Sequence, residues 1–155
     1  MKFVAKLKEY RLKKLLMNAQ KHYDDEKHLK AVQRYDRVLK LMGYTDLMNR
    51  AVIYERIGDI YFELELNTEA CDSYKLAIKI HPNSERVHFV LGLTYSFLDN
   101  YKMARKHFYQ AYWLAADDID LLRKKAEFLK ENGFADISKQ WFKRVNELNG
   151  DTYFE

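Results

Sequence analysis

Residues 91–95 read Leu-Gly-Leu-Thr-Tyr, and residues 104–111 read Ala-Arg-Lys-His-Phe-Tyr-Gln-Ala. The spacing of small and large side chains in these two stretches decides the fold of the chain. The same spacing occurs earlier, where residues 57–61 read Ile-Gly-Asp-Ile-Tyr and residues 70–77 read Ala-Cys-Asp-Ser-Tyr-Lys-Leu-Ala. Several matches at one offset, the distance from Gly58 to Gly92, indicate an internal repeat. A period of this size is typical of stacked repeat architectures.

The repeat continues toward both ends of the chain. A further step of the same size leads to Ala126 and Phe142, and a slightly longer step back leads to Ala19 and Tyr35. The longer first step predicts a short insertion, which we place at residues 46–50. The predicted organisation is one domain with four repeat units. These span residues 12–45, 51–84, 85–118 and 119–152, after a basic helical extension at residues 1–11.

Each unit carries two patterns of apolar residues at helical spacing, so each is predicted to form a pair of helices. The chain contains only five Gly and one Pro, which favours helices over folds that need many turns. Gly58 and Gly92 are predicted to stand where two helix backbones approach closely. The large aromatic side chains Tyr74 and Phe108 would fill the space beside them, giving dense packing between antiparallel helices.

This pattern resembles the tetratricopeptide repeat, a unit of about 34 residues with small residues at three positions and bulky residues at others. The resemblance covers about residues 12–150 and is clearest in residues 85–118. It implies an all-α fold, a right-handed α-solenoid of about four helix pairs whose first helices line a concave face. Lys125, Ser138 and Asn146 replace apolar or small residues of the other units, so we expect the fourth unit to act as a cap.

The positive charge of the chain is concentrated in residues 1–14. These carry six Lys and Arg against one Glu, whereas the rest of the chain carries 21 basic and 22 acidic residues. A near-neutral body argues against a nucleic-acid partner. Residues 2–24 are predicted to form one helix, with Phe3, Val4, Leu7 and Tyr10 on one face and lysines on the other. We expect a solvated cap, and contact with an anionic membrane surface or an acidic partner is the alternative.

The sequence favours a soluble cytoplasmic protein. Charged residues interrupt the N-terminus at once, so no signal peptide is expected, and no apolar stretch is long enough to cross a membrane. Cys71 is the only cysteine, which excludes an internal disulfide and any metal site built on paired cysteines.

Little in the sequence indicates catalysis, and we expect neither an enzyme nor a cofactor nor a metal site. Glycine-rich phosphate loops and nucleophile or zinc motifs are missing. The densest polar cluster, residues 22–28, holds two His and three carboxylates, but a solvated turn explains it equally well. His88 occupies a core position of the repeat, so we expect a packed and hydrogen-bonded histidine.

The resemblance places a binding surface on the first helices of the repeats. Phe89, Leu93 and Phe97 are spaced four residues apart and are predicted to form an apolar ridge beside acidic residues on one side and mixed charge on the other. Packing of Phe89 and Phe97 against neighbouring first helices is the alternative. In the first unit the same stripe holds Lys13, Leu16, Gln20, Tyr23 and Asp24. The candidate partner-binding residues are Glu55, Asp59, Phe62, Arg86, Phe89, Leu93, Phe97, Arg123 and Glu127.

These features predict a non-enzymatic adaptor or scaffold that binds a peptide or helix with apolar anchors in the concave groove. A second aromatic cluster, Tyr109, Trp113 and Trp141, offers a surface for self-association into a homo-oligomer. Two alternative functions remain: a secretion-type chaperone for a membrane-active cargo, and a peripheral membrane scaffold that uses the basic N-terminal helix.

Overall fold

The computed structural model describes residues 2–42 and 46–150, with side chains described from residue 6 onward. The side chains of Phe3 and Val4, predicted to lie on the apolar face of the first helix, are outside the described part. Within these residues the backbone forms α-helices joined by short turns, without β-strands. The helices are α1 Lys2–Asp24, α2 His28–Met42, α3 Leu47–Glu63, α4 Asn67–Ile80, α5 Glu85–Phe97, α6 Tyr101–Leu114, α7 Ile119–Glu131 and α8 Ala135–Asn149.

Consecutive helices pack as antiparallel pairs, α1 with α2, α3 with α4, α5 with α6 and α7 with α8. The chain divides into two compact units after Pro82. Unit 1 contains α1 to α4 and unit 2 contains α5 to α8. The fold class is that of an all-α solenoid of helix pairs, as the sequence predicts.

The turn inside each helix pair is built the same way, although its residue type varies. Glu26, Glu65 and Asp99 have positive φ angles of 58°, 58° and 56°, and Gly133 has a φ angle of 84°. These four positions are equivalent in the repeat register defined by the small and large residues of each pair. A left-handed residue is costly for a side chain with a Cβ, so the first three turns are strained where the fourth is relaxed.

The inserted residues lengthen the first helix of the second pair. Helix α3 has 17 residues, whereas α5 and α7 have 13 each. Asp46 caps α3 by accepting a hydrogen bond from the backbone amide of Asn49. Residues 47–50 of the predicted insertion therefore form the first turn of α3.

Both glycines predicted at close helix crossings occupy them. A Cβ atom added to Gly58 would lie 2.6 Å from Cε1 of Tyr74, and one added to Gly92 would lie 2.5 Å from Cδ1 and Cε1 of Phe108. Real Cβ atoms do not approach other atoms so closely, so only glycine permits these rings to cover the neighbouring backbone.

The two units bury different kinds of side chain. The core of unit 1 is mainly aliphatic, with Tyr35 in the cluster around Ile53, Ile57 and Ile60 and Tyr74 as a second buried tyrosine. The core of unit 2 contains Trp141, Phe108 and Phe134. The rings of Phe108 and Phe134 meet edge to face with centroids 4.8 Å apart, a favourable arrangement.

The cap prediction rests on three polar residues, Lys125, Ser138 and Asn146, that were expected on an outer face. Lys125 and Ser138 instead point into unit 2, so for these two residues the expectation is wrong. The Lys125 ammonium lies 2.5 Å from a carboxylate oxygen of Glu85 on α5. Ser138 is 1% exposed and donates a hydrogen bond of 2.7 Å to the Ala126 carbonyl. Residue spacing alone could not show that these side chains form an ion pair and a hydrogen bond within unit 2. The cap role of the fourth repeat stays a prediction.

Candidate functional site

An open groove lies in unit 1 between the first helices α1 and α3. It consists of two hollows, of about 460 Å³ and about 330 Å³, which share Leu16, Val52 and Ile53 in their walls. Leu16 is 37% exposed and Val52 is 50% exposed. Apolar walls with a few polar groups and volumes in this range are typical of binding sites. The groove walls are Glu9, Leu12, Lys13, Leu16, Met17, Gln20, Tyr35, Met42, Asp46, Asn49, Val52, Ile53 and Arg56.

The two ends of this groove differ in charge. Glu9 and Asp46 line the larger hollow together with Lys13. Arg56 is the charged residue that lines the smaller hollow, beside the amide of Gln20. A bound segment would therefore meet mixed charge at one end and a guanidinium at the other.

Near the Arg56 end of the groove, two tyrosine hydroxyls form hydrogen bonds that join α1 to α3 and to α2. Tyr23 donates a hydrogen bond of 2.5 Å to a carboxylate oxygen of Glu63 on α3. This bond, with burial and the negative charge of Glu63, raises the pKa of Tyr23 to about 12. Tyr35 on α2 donates to Oε1 of Gln20 over 3.3 Å, and burial raises the pKa of the Tyr35 hydroxyl.

The candidate residues on α3 are not fully exposed, and one of them is hydrogen-bonded within its helix pair. Glu55, Asp59 and Phe62 are all half-buried. Asp59 accepts a hydrogen bond of 2.8 Å from the Tyr74 hydroxyl. This bond is the repeat equivalent of the one between Tyr35 and Gln20, so the position serves packing within the helix pair in both repeats.

The candidate residues on α5 separate into exposed and packed positions. Arg86 is exposed, Leu93 is half-buried, and Phe97 is 62% exposed. The half-buried Phe89 ring lies 5.4 Å from the ring of Phe108, between centroids.

Phe89 is part of the packing of unit 2 and does not belong to an exposed apolar ridge. Its ring centroid is also 6.2 Å from that of Phe128 on α7 and 6.1 Å from that of Trp141 on α8. The Lys125 ammonium lies 5.2 Å from the same centroid. For Phe89 the packing alternative is therefore correct, because the ring fills the space between the two helix pairs of unit 2.

On α7, Arg123 is half-buried and Glu127 is exposed. The guanidinium of Arg123 lies 3.6 Å from a carboxylate oxygen of Asp120, one turn earlier on the same helix. Such exposed pairs contribute little to stability, and both side chains remain accessible to a ligand.

The predicted self-association cluster is only partly at the surface. Trp141 is fully buried, and its inclusion was wrong because its ring is packed against Phe89 and Tyr112. Tyr109 is half-buried, whereas Trp113 is 77% exposed and meets the Tyr112 ring edge to face. Helical spacing placed Trp113 and Trp141 together because it could not assign the face that α8 buries.

The residues missing from the candidate set are those of the unit 1 groove. Leu16 and Gln20 lie on the stripe predicted for the first repeat, and Val52 and Arg56 are one turn apart on α3.

The described His, Cys, Asp and Glu side chains are not clustered as metal ligands. Within residues 2–42 and 46–150, no group of three or more His, Cys, Asp or Glu side chains is placed to hold a metal ion. Buried His88 is hydrogen-bonded through Nδ1 to Nδ1 of His107 over 3.0 Å, as expected for a packed histidine. Cys71, the only cysteine of the sequence, is buried.

None of the helices in the described part of the chain combines the length and apolar character needed to cross a bilayer.

Two family models match consecutive parts of this chain. A model described as tetratricopeptide repeat matches residues 51–84. A model described as YpiA-like, C-terminal tetratricopeptide repeats matches residues 86–149. Together the two matches cover more than half of the chain. No match was found among the curated proteins.

Solved structures with a similar fold have low sequence identity to this chain. The crystal structure of MamA matches with a TM-score of 0.69 and 19% identity, over 97% of this chain and 85% of the MamA chain. YrrB, described as a TPR protein with an unusual peptide-binding site, matches with a TM-score of 0.63 and 21% identity, over 88% of this chain and 68% of its own. A tetratricopeptide repeat protein from Parabacteroides merdae gives a TM-score of 0.73 at 14% identity, over 92% of this chain and 55% of its own.

Proposed function

The chain belongs to the tetratricopeptide repeat family, and on that premise we propose that it is a non-enzymatic adaptor that binds segments of other proteins through the first helices of its repeats. The observation that carries this proposal is the open groove between α1 and α3, whose apolar walls are accessible to a partner. Apolar side chains that enter such a groove supply most of the binding free energy in comparable interfaces. The exposed Phe97 on α5 offers a second anchor point within unit 2.

Affinity capture from the source organism tests the adaptor function. The full chain is compared with Val52→Lys in the groove and with Phe97→Ala on α5. Leu29→Ala and Leu76→Ala are matched controls, because both side chains are exposed on second helices, at 60% and 44%. We expect at least one Val52→Lys or Phe97→Ala bait to lose specific partners that both controls retain. A chain that enriches no protein, or that enriches the same proteins in every variant, contradicts the proposal.

A membrane scaffold is a second candidate, supported by the exposed residues near the start of α1. Leu7 is 40% exposed and Tyr10 is 64% exposed, on a helix that also exposes Lys6, Lys8 and Arg11. Exposed apolar and basic side chains on one helix are typical of interfacial binding to anionic lipid. Liposome flotation with and without anionic lipid tests this function. Binding that stays the same after Lys6, Lys8 and Arg11 are changed to Gln would exclude it.

A further inference from the structure

The outer side of α6 carries a row of four side chains, the α6 row, which consists of Lys102, Lys106, Tyr109 and Trp113. Successive members are four, three and four residues apart, so all of them lie along one side of the helix. The other side of α6 carries its buried residues, which are Ala104, His107, Phe108 and Ala111. Trp113 is 77% exposed, both lysines are exposed and Tyr109 is half-buried.

The second helices of neighbouring repeats show that the fold does not require aromatic residues in this row. The equivalent residues of α4, found 34 positions earlier, are Thr68, Asp72, Lys75 and Lys79. Those of α8, found 34 positions later, are Asp136, Gln140, Lys143 and Glu147. All of these side chains are polar, as is usual on the outer face of a surface helix. Because α4 and α8 pack in the same way without them, Tyr109 and Trp113 serve a purpose other than the packing of the helix pair.

The exposed Trp113 ring is held in place by the side chains beneath it. It meets the Tyr112 ring edge to face, with centroids 5.2 Å apart. The Tyr112 ring in turn meets the buried Trp141 ring at 5.7 Å, and the Arg144 guanidinium lies 5.6 Å from the Tyr112 centroid. A partner would therefore meet an indole of restricted motion, which lowers the entropic cost of binding.

The lysine half of the α6 row carries positive charge that its own helix does not neutralise. Helix α6 contains neither Asp nor Glu. Lys102 and Lys106 form no ion pair or hydrogen bond with any residue that the structure describes. Both ammonium groups are therefore available to an anionic partner.

The charges of α8, beside the row, cancel one another. Asp136 is paired with Arg105 of α6, and Glu147 lies 3.9 Å from the Lys143 ammonium. Lys139 is exposed as well. A flat anionic surface such as a bilayer would cover α8 together with α6 and would meet the carboxylates of Asp136 and Glu147. The concentration of positive charge on α6 favours an occupant narrow enough to follow one helix.

Carboxylates lie at both ends of α6 and limit the length of the occupant. Asp99 precedes the helix, and Asp117 and Asp118 follow it, and all three are exposed. The 14 residues of α6 span about 21 Å. A longer polyanion such as a nucleic-acid strand would meet these carboxylates, although Arg144 is paired with Asp117. The charges therefore match a short segment that is acidic in one half only.

We propose that the α6 row binds an acidic segment of another protein, with carboxylates against Lys102 and Lys106 and large apolar side chains against Tyr109 and Trp113. Exposed Trp and Tyr side chains are frequent hot spots of protein interfaces, and the lysines fix the orientation of the segment and speed its association. Two copies of this chain that met through their α6 rows would bring lysines together, which disfavours self-association through this face. The row belongs to unit 2 and the groove to unit 1, so this inference goes beyond the proposed function by adding a second partner surface.

Binding of three synthetic peptides to the full chain, followed by fluorescence anisotropy in low-salt buffer, tests the proposal. The probes are capped, labelled peptides of about 14 residues, long enough for partial helix. Each carries a pair of identical residues at i and i+4 and Leu at i+7 and i+11, which is the spacing of the row. The pair is Glu, Gln or Lys, and each probe is made with the pair first and with the pair last.

In the better of the two directions, we expect the Glu probe to bind about tenfold more tightly than the Lys probe, with the Gln probe between them. Because the ion pairs are exposed, about 0.5 M NaCl should remove most of this preference. Equal binding of the Glu and Lys probes, or no binding of any probe, would overturn the proposal.

Variants of the row determine which contacts carry the preference. Lys102→Gln together with Lys106→Gln should lower the affinity of the Glu probe to that of the Gln probe and leave the Gln probe unchanged. Trp113→Ala should weaken all three probes about tenfold. Lys30→Gln together with Lys40→Gln, at exposed positions of α2, is the control for net charge and should leave every affinity unchanged.

Other occupants of the row would give different results, each of which overturns the proposal. Vesicles of phosphatidylserine and phosphatidylcholine, or a single-stranded oligonucleotide, would bind the full chain but not the Trp113→Ala chain. A second copy would give a dimer that Trp113→Ala dissociates. A gain of Glu-probe affinity on removal of residues 151–155 would show that this chain's own segment occupies the row.

The groove of unit 1 is excluded as the site of probe binding by Val52→Lys, which should leave the Glu probe unchanged. A loss of Glu-probe binding in that variant would contradict the assignment to α6. The adaptor function would survive the failure of this proposal if affinity capture still depended on Val52 or Phe97.

Discussion

Unit 1 and unit 2 use one repeat backbone but fill it with different chemistry. In unit 1, hydroxyl bonds from Tyr35 to Gln20 and from Tyr74 to Asp59 join the two helices of each pair at equivalent positions. In unit 2 the equivalent pairs are Leu93 with Phe108 and Glu127 with Phe142, which offer no hydroxyl. The helix crossing thus depends on side-chain size, whereas the polarity of the contact can vary between repeats.

The same difference extends to the space between helix pairs. In unit 2 the Phe89 ring and the Lys125 ammonium occupy this space, with the Trp141 ring beneath them. In unit 1 the corresponding space between α1 and α3 remains open and is lined by Leu16 and Val52. The Phe89 ring therefore closes this space in unit 2, whereas the smaller Leu16 and Val52 leave it open in unit 1.

The largest expected effect is the loss of Trp141 from unit 2. Because Trp141→Ala removes a fully buried ring, it should lower the free energy of unfolding by about 3–5 kcal/mol. Both tryptophans, Trp113 and Trp141, lie in unit 2, so the fluorescence of Trp113 reports that unit while circular dichroism reports both. We expect the unfolding midpoint measured by fluorescence to lie at a lower denaturant concentration than the midpoint measured by circular dichroism.

Trp113→Ala is the matched control, because its ring is 77% exposed. It should change stability by under about 0.5 kcal/mol. Equal losses from the two substitutions would show that burial of Trp141 does not distinguish unit 2.

Removing the Lys125 ammonium should have the next largest effect. Lys125→Met keeps the packing of the side-chain stem but leaves Glu85, whose side chain is 20% exposed, without its cation. We expect a loss of about 2 kcal/mol, less than for a fully buried pair, measured by urea denaturation. A second change, Glu85→Leu, should recover most of it, since an apolar pair suits this partly buried site.

Lys143→Met provides the exposed comparison, since its ammonium is 3.9 Å from Glu147 and both side chains are more than half exposed. This variant should be nearly neutral. A Lys125→Met chain as stable as the Lys143→Met chain would contradict a structural role for the partly buried ion pair.

Substituting alanine for Gly58 or Gly92, the glycines at the close helix crossings, compares the two units directly. Gly92→Ala forces Phe108 to move and should cost about 1–2 kcal/mol, since overpacking is partly offset by better helix propensity. Gly58→Ala displaces Tyr74 in the same way and should cost more, because the Tyr74 bond to Asp59 is also disturbed.

Double variants identify the cause of these losses. Phe108→Leu should restore part of the stability of Gly92→Ala, giving a favourable coupling in a double-mutant cycle. Tyr74→Phe should remove the difference between the two glycine variants. Independent, additive effects in the cycle would show that the aromatic ring is not what the added methyl group meets.

The smallest expected effect is specific to unit 1 and depends on alkaline pH. Because the pKa of Tyr23 is raised to about 12 in the folded chain, above the usual 10.0, its neutral form is favoured by folding. The stabilisation is fully present below pH 10 and is lost as the pH rises through 12. The difference in tyrosinate absorbance between the wild type and Tyr23→Phe measures this titration. Glu63→Gln, which removes the negative charge, should bring the midpoint back toward 10.

Much of the fold follows from the spacing of residue sizes. Small residues at Gly58 and Gly92 and rings at Tyr74 and Phe108 predict the close crossings, because volume is a property of the residue itself. The helix from residue 2 to residue 24 follows in the same way from apolar periodicity, and α1 has these bounds. The helical state of residues 47–50 was not predictable from spacing, because it depends on the cap at Asp46.

The candidate site was harder to predict, because exposure depends on what a side chain meets across the fold. Phe89, Leu93 and Phe97 have the same spacing and similar character, yet Phe89 is packed among three rings and Phe97 is 62% exposed. Trp113 and Trp141 differ still more, at 77% and 0% exposed. No local pattern separates members of these sets, since the neighbours that bury them come from other helices.

The sequence by itself determined the repeat, the pairing of the helices and the family, because these depend on periodicity and residue volume. Only the tertiary structure decided which polar residues are paired inside, as Lys125 is with Glu85, and where the open space lies. Those properties arise from side chains distant in the sequence, such as Leu16 and Val52, which share a wall only after α1 and α3 are placed side by side.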